Sequence, residues 1–176
     1  MLIRPIRESD FEPVAALTNI YIRDTAIHFA YDPVTAAELR ELWTRQRDTY
    51  PWLAAEVDGA FAGYAKAGPW RERAAYKWTP EVGIYIEPRV HRRGVGKALY
   101  ARLLECLRAQ GYRSAIGGIT LPNAPSVALH EALGFVKISH VARAGWKLNR
   151  WWDVGFWQVM LGAGDAPPRP IVPPPG

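Results

Sequence analysis

Residues 91–97, HRRGVGK, set two arginines and two glycines directly before an amphipathic segment, ALYARLLECLRAQ. Glycines let backbone N–H groups approach a bulky anion closely, and the start of a helix adds a partial positive charge. Arginines beside them can make bidentate contacts to phosphate oxygens. That is the chemistry of an anion site, a pyrophosphate cradle above all. A glycine turn with a solvated basic rim is the other reading of the same residues.

The elements that would hold this loop can be read along the chain. LIRPI reads as a first strand. A helix opens at a Ser9 or Asp10 cap, with apolar spacing at Phe11, Val14, Leu17 and Ile20. Residues 24–34 form a loop exposing aromatics, and Thr35 caps a second helix, TAAELRELWTRQRD. PWLAAEVDGAFAGYAKAG is a strand pair turning at Asp58-Gly59. EVGIYIEP is a strand stopped by Pro88, and the helix over 94–110 ends at Gly111. SAIGGITL is a strand weakened by two glycines, and NAPSVALHEALGF is a helix closed at Gly134. Two late strands are expected to join at Asn149-Arg150. The order predicts a single mixed α/β sheet flanked by helices, over residues 1–162. Residues 163–176 form a proline-rich tail, extended and either disordered or lying across a surface.

Composition narrows the partners. At 176 residues the chain fits one domain with a sizeable core, and its net charge of +5 favours anionic ligands. The basic residues are spread rather than blocked, so a nucleic-acid arm is not expected. No apolar signal core or membrane span is read from the sequence, and Cys106, the single cysteine, reads as a packing residue within a helix. A reducing cytoplasm is the expected compartment. No pair of histidines has metal spacing, so no metal is expected. His28 falls in the aromatic loop and His140 on a strand surface.

A dinucleotide fold wants its glycine loop after the first strand, and a nucleotide-triphosphate loop wants GxxxxGK[ST]; RRGVGK satisfies neither. A strand, this loop and a long helix in mid-chain instead resemble the GNAT superfamily of acetyl-CoA-dependent N-acetyltransferases. The likeness continues through YPWLAAEVDG, AGPW, AYKWTPEVGIYIEPR, LPNAPSVALHEALGF and WWDVGFWQ, and it is to the phosphinothricin N-acetyltransferase branch, up to about residue 160. His91 stands where that motif usually has Gln or Arg, Asn149 where the branch has glycine, and Gly83, Gly118 and Thr120 also depart from it.

The resemblance implies acetyl-CoA as cosubstrate, a small-molecule amine as acceptor and a homodimer. Amide formation from a thioester needs the ammonium deprotonated, the carbonyl polarised and the leaving thiolate protonated. By the resemblance Glu81 is the base; Trp78 and Tyr76 around it would raise its pKa by desolvation, or it would act through a water. His130 is likewise a proton donor or relay. The pantetheine arm would pair with the main chain of Ile84, Tyr85 and Ile86, and Asn123 would contact it. Amides of Arg92, Arg93, Gly94, Val95, Gly96 and Lys97 would face the pyrophosphate. Phe29, Arg71, Arg73, Tyr76, Gly118 and Thr120 would form the acceptor pocket, for phosphinothricin or for methionine sulfoximine or sulfone. A non-catalytic module binding coenzyme A or nucleic acid is the reading from another class.

Overall fold

The computed structural model describes residues 1–175. Seven strands, β1 (Leu2–Pro5), β2 (Trp52–Val57), β3 (Ala60–Pro69), β4 (Pro80–Ile86), β5 (Ser114–Leu121), β6 (Val136–Lys147) and β7 (Arg150–Met160), make one sheet in the order β1-β2-β3-β4-β5-β7-β6. Every neighbouring pair is antiparallel except β4 and β5. Four helices cover it: α1 (Phe11–Asp24), α2 (Ala36–Gln46), α3 (Val95–Gln110) and α4 (Ala124–Ala132). The mixed sheet expected from the element order is the one found.

Strand alternation divides the core in two. Leu53, Ala55 and Val57 of β2 pack with Leu99, Leu103 and Leu107 of α3, joined by Val127 and Leu129 of α4. On the opposite face Trp52 and Tyr64 pack with Phe11, Val14 and Leu17 of α1 and Leu39 of α2. Register extends this second face: Trp52 lies beside Lys66, Lys66 beside Gly83, Gly68 beside Glu81 and Tyr64 beside Tyr85. The glutamate read from the sequence therefore belongs to the α1/α2 side of the sheet.

Local chemistry explains the boundaries. Thr35 and Glu38 form a capping box at the start of α2, a device contributing about 1 kcal/mol. Asp10 occupies the cap position of α1, yet its side chain does not cap the helix. Its carboxylate instead accepts from Arg4 at 2.6 and 2.9 Å and from the Arg7 amide at 2.7 Å. Asp58 and Gly59 have φ of 55° and 77°, as a type I′ hairpin requires. The β6–β7 turn differs from its expected place by one residue. Leu148 and Asn149 carry the positive φ, while Arg150 already pairs with Lys147.

The proline-rich tail lies across the protein. Val172 donates its amide to Gln110 O at 3.0 Å, and Gln110 Nε2 donates back to Val172 O at 2.9 Å. Trp78 Nε1 donates to Arg169 O at 2.9 Å.

Candidate active site

The cleft begins where β4 and β5 part: these parallel strands share register only at Glu81 and Ile116. Beyond that pair, β4 is bonded on the β3 side alone. Glu87 N donates to Ala62 O, and antiparallel alternation then turns the main chains of Tyr85, Gly83 and Glu81 toward β3. Those of Val82, Ile84 and Ile86 face the opened side. Ile84 is thus the β4 residue whose N–H and C=O face the cleft and are free to pair with an extended ligand arm. The sequence named Tyr85 as well, but its main chain belongs to the ladder with Tyr64. The Ile86 carbonyl accepts from Tyr21 Oη at 2.8 Å and lies 3.1 Å from His91 Nε2. His91, the departure from the motif, is thereby accounted for: its ring braces the end of β4.

The glycine loop has the form of an anion cradle. Arg92 and Gly94 have φ of 62° and 79°, and Gly94 caps α3 with no side chain to satisfy the first amides. The leading N–H groups of α3, from Val95, Gly96 and Lys97, have no partner within the helix. A Cβ on Gly96 would lie 3.6 Å from Ile86 and Leu129, so glycine lets the helix start sit close to β4 and α4. The Arg93 guanidinium turns toward Asp58, at 3.3 Å. At the start of α4, Asn123 Oδ1 caps the helix by accepting from Ser126 N at 3.2 Å, which leaves the Asn123 amide nitrogen for a ligand. These groups fit a pyrophosphate and the polar arm attached to it.

Two adjoining cavities flank β4. The larger, about 360 Å³, is bordered by Phe29, Gln46, Lys66, Glu81, Gly83 and Gly118. The smaller, about 60 Å³, is bordered by Ile84, Tyr100, Thr120, Asn123, Ser126 and His130, and it too reaches Gly83 and Gly118. Glu81 is accessible from the larger cavity yet walled by protein, and this burial raises its pKa while Lys66 opposes the rise. Trp78 and Tyr76, expected to supply those walls, are elsewhere. Trp78 faces the tail, and Tyr76 stacks edge-on against Trp70 at 5.4 Å.

Across β4, His130 is 4% exposed. Its Nδ1 lies 2.8 Å from Ser126 O, and its Nε2 lies 3.0 Å from Tyr100 Oη. A carbonyl only accepts, so Nδ1 carries the proton and the Nε2 lone pair takes the phenol hydrogen. Burial lowers the imidazole pKa, with the Ser126 carbonyl opposing, which keeps the ring neutral. The histidine is therefore built as an acceptor for Tyr100, a relay position, and has no proton of its own to give toward the cleft. Tyr100, which lies in the amphipathic segment and was not singled out in the sequence, borders the smaller cavity together with Thr120 and Ser126.

Two consecutive glycines in β5 clear both sides. A Cβ on Gly117 would lie 2.5 Å from His130 Nε2, and one on Gly118 would lie 3.4 Å from Glu81 Oε1. What weakens the strand in the sequence makes room for the chemistry on each face. Phe29 and Gly118 border the Glu81 cavity and Thr120 the smaller one, as an acceptor pocket would need. Arg71, Arg73 and Tyr76 do not join them; with Trp70 they line a separate exposed depression of about 390 Å³. Lys147 was not singled out in the sequence. Its ammonium donates to Ile22 O and His28 O, both at 2.5 Å, and so pins the loop that carries Phe29. His28 also lines the larger cavity. No group of three or more metal-ligating side chains occurs among the described residues, and no helix is long and apolar enough to cross a membrane.

Comparison with known proteins agrees with this geometry. Residues 14–135 match the acetyltransferase (GNAT) family. The chain is 45% identical to a phosphinothricin N-acetyltransferase of Streptomyces viridochromogenes, covering 97% of this chain and 93% of that protein. It is 34% identical to an L-methionine sulfoximine/L-methionine sulfone acetyltransferase of Salmonella typhimurium, covering 92% and 97%. A GNAT superfamily phosphinothricin acetyltransferase from Sinorhizobium meliloti, solved in complex with acetyl-CoA, superposes with a TM-score of 0.92 at 31% identity, over 97% of this chain and 94% of that one. With a glycine cradle, a parted β4–β5 edge and these relatives, the chain belongs to the GNAT family of acetyltransferases, enzymes that use acetyl-CoA as cosubstrate.

Proposed function

We propose that this enzyme transfers the acetyl group of acetyl-CoA to the α-amine of phosphinothricin or of a similar small amino acid, methionine sulfoximine and methionine sulfone included. The observation that carries the reading is the opposition of Glu81 and the Tyr100–His130 pair on the two sides of β4, at the point where the strand parts from β5. Glu81, with its pKa raised by burial, takes the proton of the incoming ammonium. Tyr100 then gives its proton to the departing thiolate; His130 orients the phenol by accepting its hydrogen bond, and the phenolate regains a proton from solvent once the product leaves. The amides of Arg92, Gly94, Val95, Gly96 and Lys97, the main chain of Ile84 and the Asn123 amide hold the cosubstrate; the Arg93 amide, expected among them, donates instead to Val90 O at 3.4 Å. Phe29, Gly118 and Thr120 shape the acceptor's path. Arg71, Arg73 and Tyr76, expected at the acceptor's far end, line a separate depression and have no part in this reading.

The chain is further read as a cytoplasmic homodimer. Strand β6 lies at the sheet edge and is exposed along most of its length, with Val136, Ile138, Val141 and Trp146 beside Trp151 of β7. Such a surface invites cover. The buried thiol of Cys106 suits a reducing compartment.

Acetyl-CoA-dependent thiol release against phosphinothricin, methionine sulfoximine, methionine sulfone, glutamate and a lysine peptide tests the activity. Turnover of an amino acid with a tetrahedral oxo group supports the reading. Turnover of the peptide alone overturns the small-molecule pocket. Sedimentation velocity tests the dimer.

A further inference from the structure

Lys66 is a lone lysine in an otherwise apolar strand, and it faces the Glu81 cavity. Its ammonium lies over the ring of Trp52, with Nζ 4.7 Å from the centroid. Directly across the strand pair stands Gly83, which has no side chain to cover the ammonium; a Cβ there would meet nothing nearer than Tyr85 at 3.9 Å. Gly118 leaves further room on the next strand. Burial lowers the Lys66 pKa and Glu81 opposes this, yet Glu81 is not paired with it as an ion pair among the described residues. The cavity therefore holds a largely desolvated cation on one wall, a base on the other, and space between them.

Resting on the acetyl-transfer reading above, we infer that Lys66 determines acceptor specificity by pairing with an anionic side-chain group, so that this enzyme prefers an acidic amino acid, phosphinate or carboxylate, to a neutral isostere such as methionine sulfone. A phosphinate and a sulfone present oxygens in similar places, but only the phosphinate compensates the buried charge. Charge-assisted hydrogen bonds are roughly twice as strong as neutral ones, and a desolvated cation left without its anion is the costlier state. The discrimination is thus built into a residue that touches the acceptor's distal group, apart from the amine at Glu81.

The test is kcat/KM for phosphinothricin and for methionine sulfone, at saturating acetyl-CoA, in wild type, Lys66→Met and Lys66→Arg. Methionine keeps an unbranched side chain beside Trp52 and removes the charge. The phosphinothricin-to-sulfone ratio is expected to fall tenfold or more in Lys66→Met and to recover in part in Lys66→Arg; residual sulfone turnover shows that the variant is folded. An equal fall for both acceptors, or no fall, overturns the inference. Calorimetric binding of the two acceptors in the presence of coenzyme A gives the same ratio without turnover. A wild type that binds the acid, loses that preference in Lys66→Met and yet transfers no acetyl group refutes the acetyl-transfer reading while upholding Lys66. Wild-type binding of neither acceptor overturns both.

Discussion

Tyr100 Oη lies 3.0 Å from His130 Nε2, and a Ser126 carbonyl 2.8 Å from Nδ1 fixes which way that hydrogen bond runs. The phenol is the donor and the imidazole the acceptor. Replacing Tyr100 by Phe removes the hydroxyl at the cavity and preserves the ring stacked on Phe135. Turnover should fall about 100-fold, the usual scale for losing one acid–base group, with KM for acetyl-CoA little changed. His130→Gln should lower kcat less, because Tyr100 remains. Steady-state kinetics of both variants decide the order; a larger loss in His130→Gln would make the histidine the donor.

Glu81→Gln separates catalysis from stability. Its turnover should fall by about 10²–10⁴-fold, and the acid limb of the wild-type pH–kcat profile should disappear with it. Stability should move the other way. Because burial raises the folded-state pKa of Glu81 above its ordinary 4.5, the folded protein holds this proton to higher pH than the unfolded chain does. Stability is therefore lost as pH rises from the unfolded value through the folded one, and the ionised group destabilises at neutral pH. Thermal denaturation should show Glu81→Gln at least as stable as wild type at pH 7.5, with the difference vanishing toward pH 4. A variant less stable throughout that range would mean that the carboxylate is held by structure rather than strained for use.

The element order, both cap residues Thr35 and Gly111, the Asp58-Gly59 hairpin and the glycine loop were legible because each depends on local chemistry. Glu81 was named through the family resemblance; its place at the head of a strand alone reads as an ordinary strand-end carboxylate. Tyr100 was not, since an inward tyrosine on an apolar helix face looks like core until His130 is seen beside it. Lys66 left a signal, a single charge in an apolar strand, but its meaning depends on which face of the sheet carries Glu81. The surroundings of Glu81 were misplaced for a related reason. Trp78 and Tyr76 are near in sequence, whereas the actual neighbours Lys66, Phe29 and Gly118 come from other strands and loops.

The tail should act as a strap. Its three hydrogen bonds to Gln110 and Trp78 are long-range, and each contributes about 1 kcal/mol net. Deleting residues 165–176 should cost about 2–4 kcal/mol and lower the thermal midpoint by about 5–10 °C. Because Trp78 ends the loop bearing Arg71, Arg73 and Tyr76, hydrogen exchange in residues 70–79 should quicken more than in α1. An unchanged midpoint and exchange pattern would show the tail resting on a fold that does not use it.

The paired glycines of β5 offer the sharpest contrast, because they differ by one position and face opposite ways. Gly117→Ala would put a Cβ 2.5 Å from His130 Nε2 and 2.7 Å from its Cδ2, closer than real contacts allow. The ring is 4% exposed and packed against Tyr100 and Phe135, so it has little room to retreat. Overpacking of this kind costs about 1–3 kcal/mol, and it must push apart the pair proposed to serve the thiolate. Both stability and kcat should fall, for every acceptor alike. Gly118→Ala meets Phe156 at 3.3 Å and Glu81 Oε1 at 3.4 Å, distances that a side-chain shift of a few tenths of an ångström relieves. It should leave the thermal midpoint nearly unchanged and raise KM for bulky acceptors more than for small ones. Denaturation and kinetics on the two variants read both faces of the cleft at once. Matching effects from both alanines would mean that the acceptor and the leaving group are not handled on opposite sides of β4.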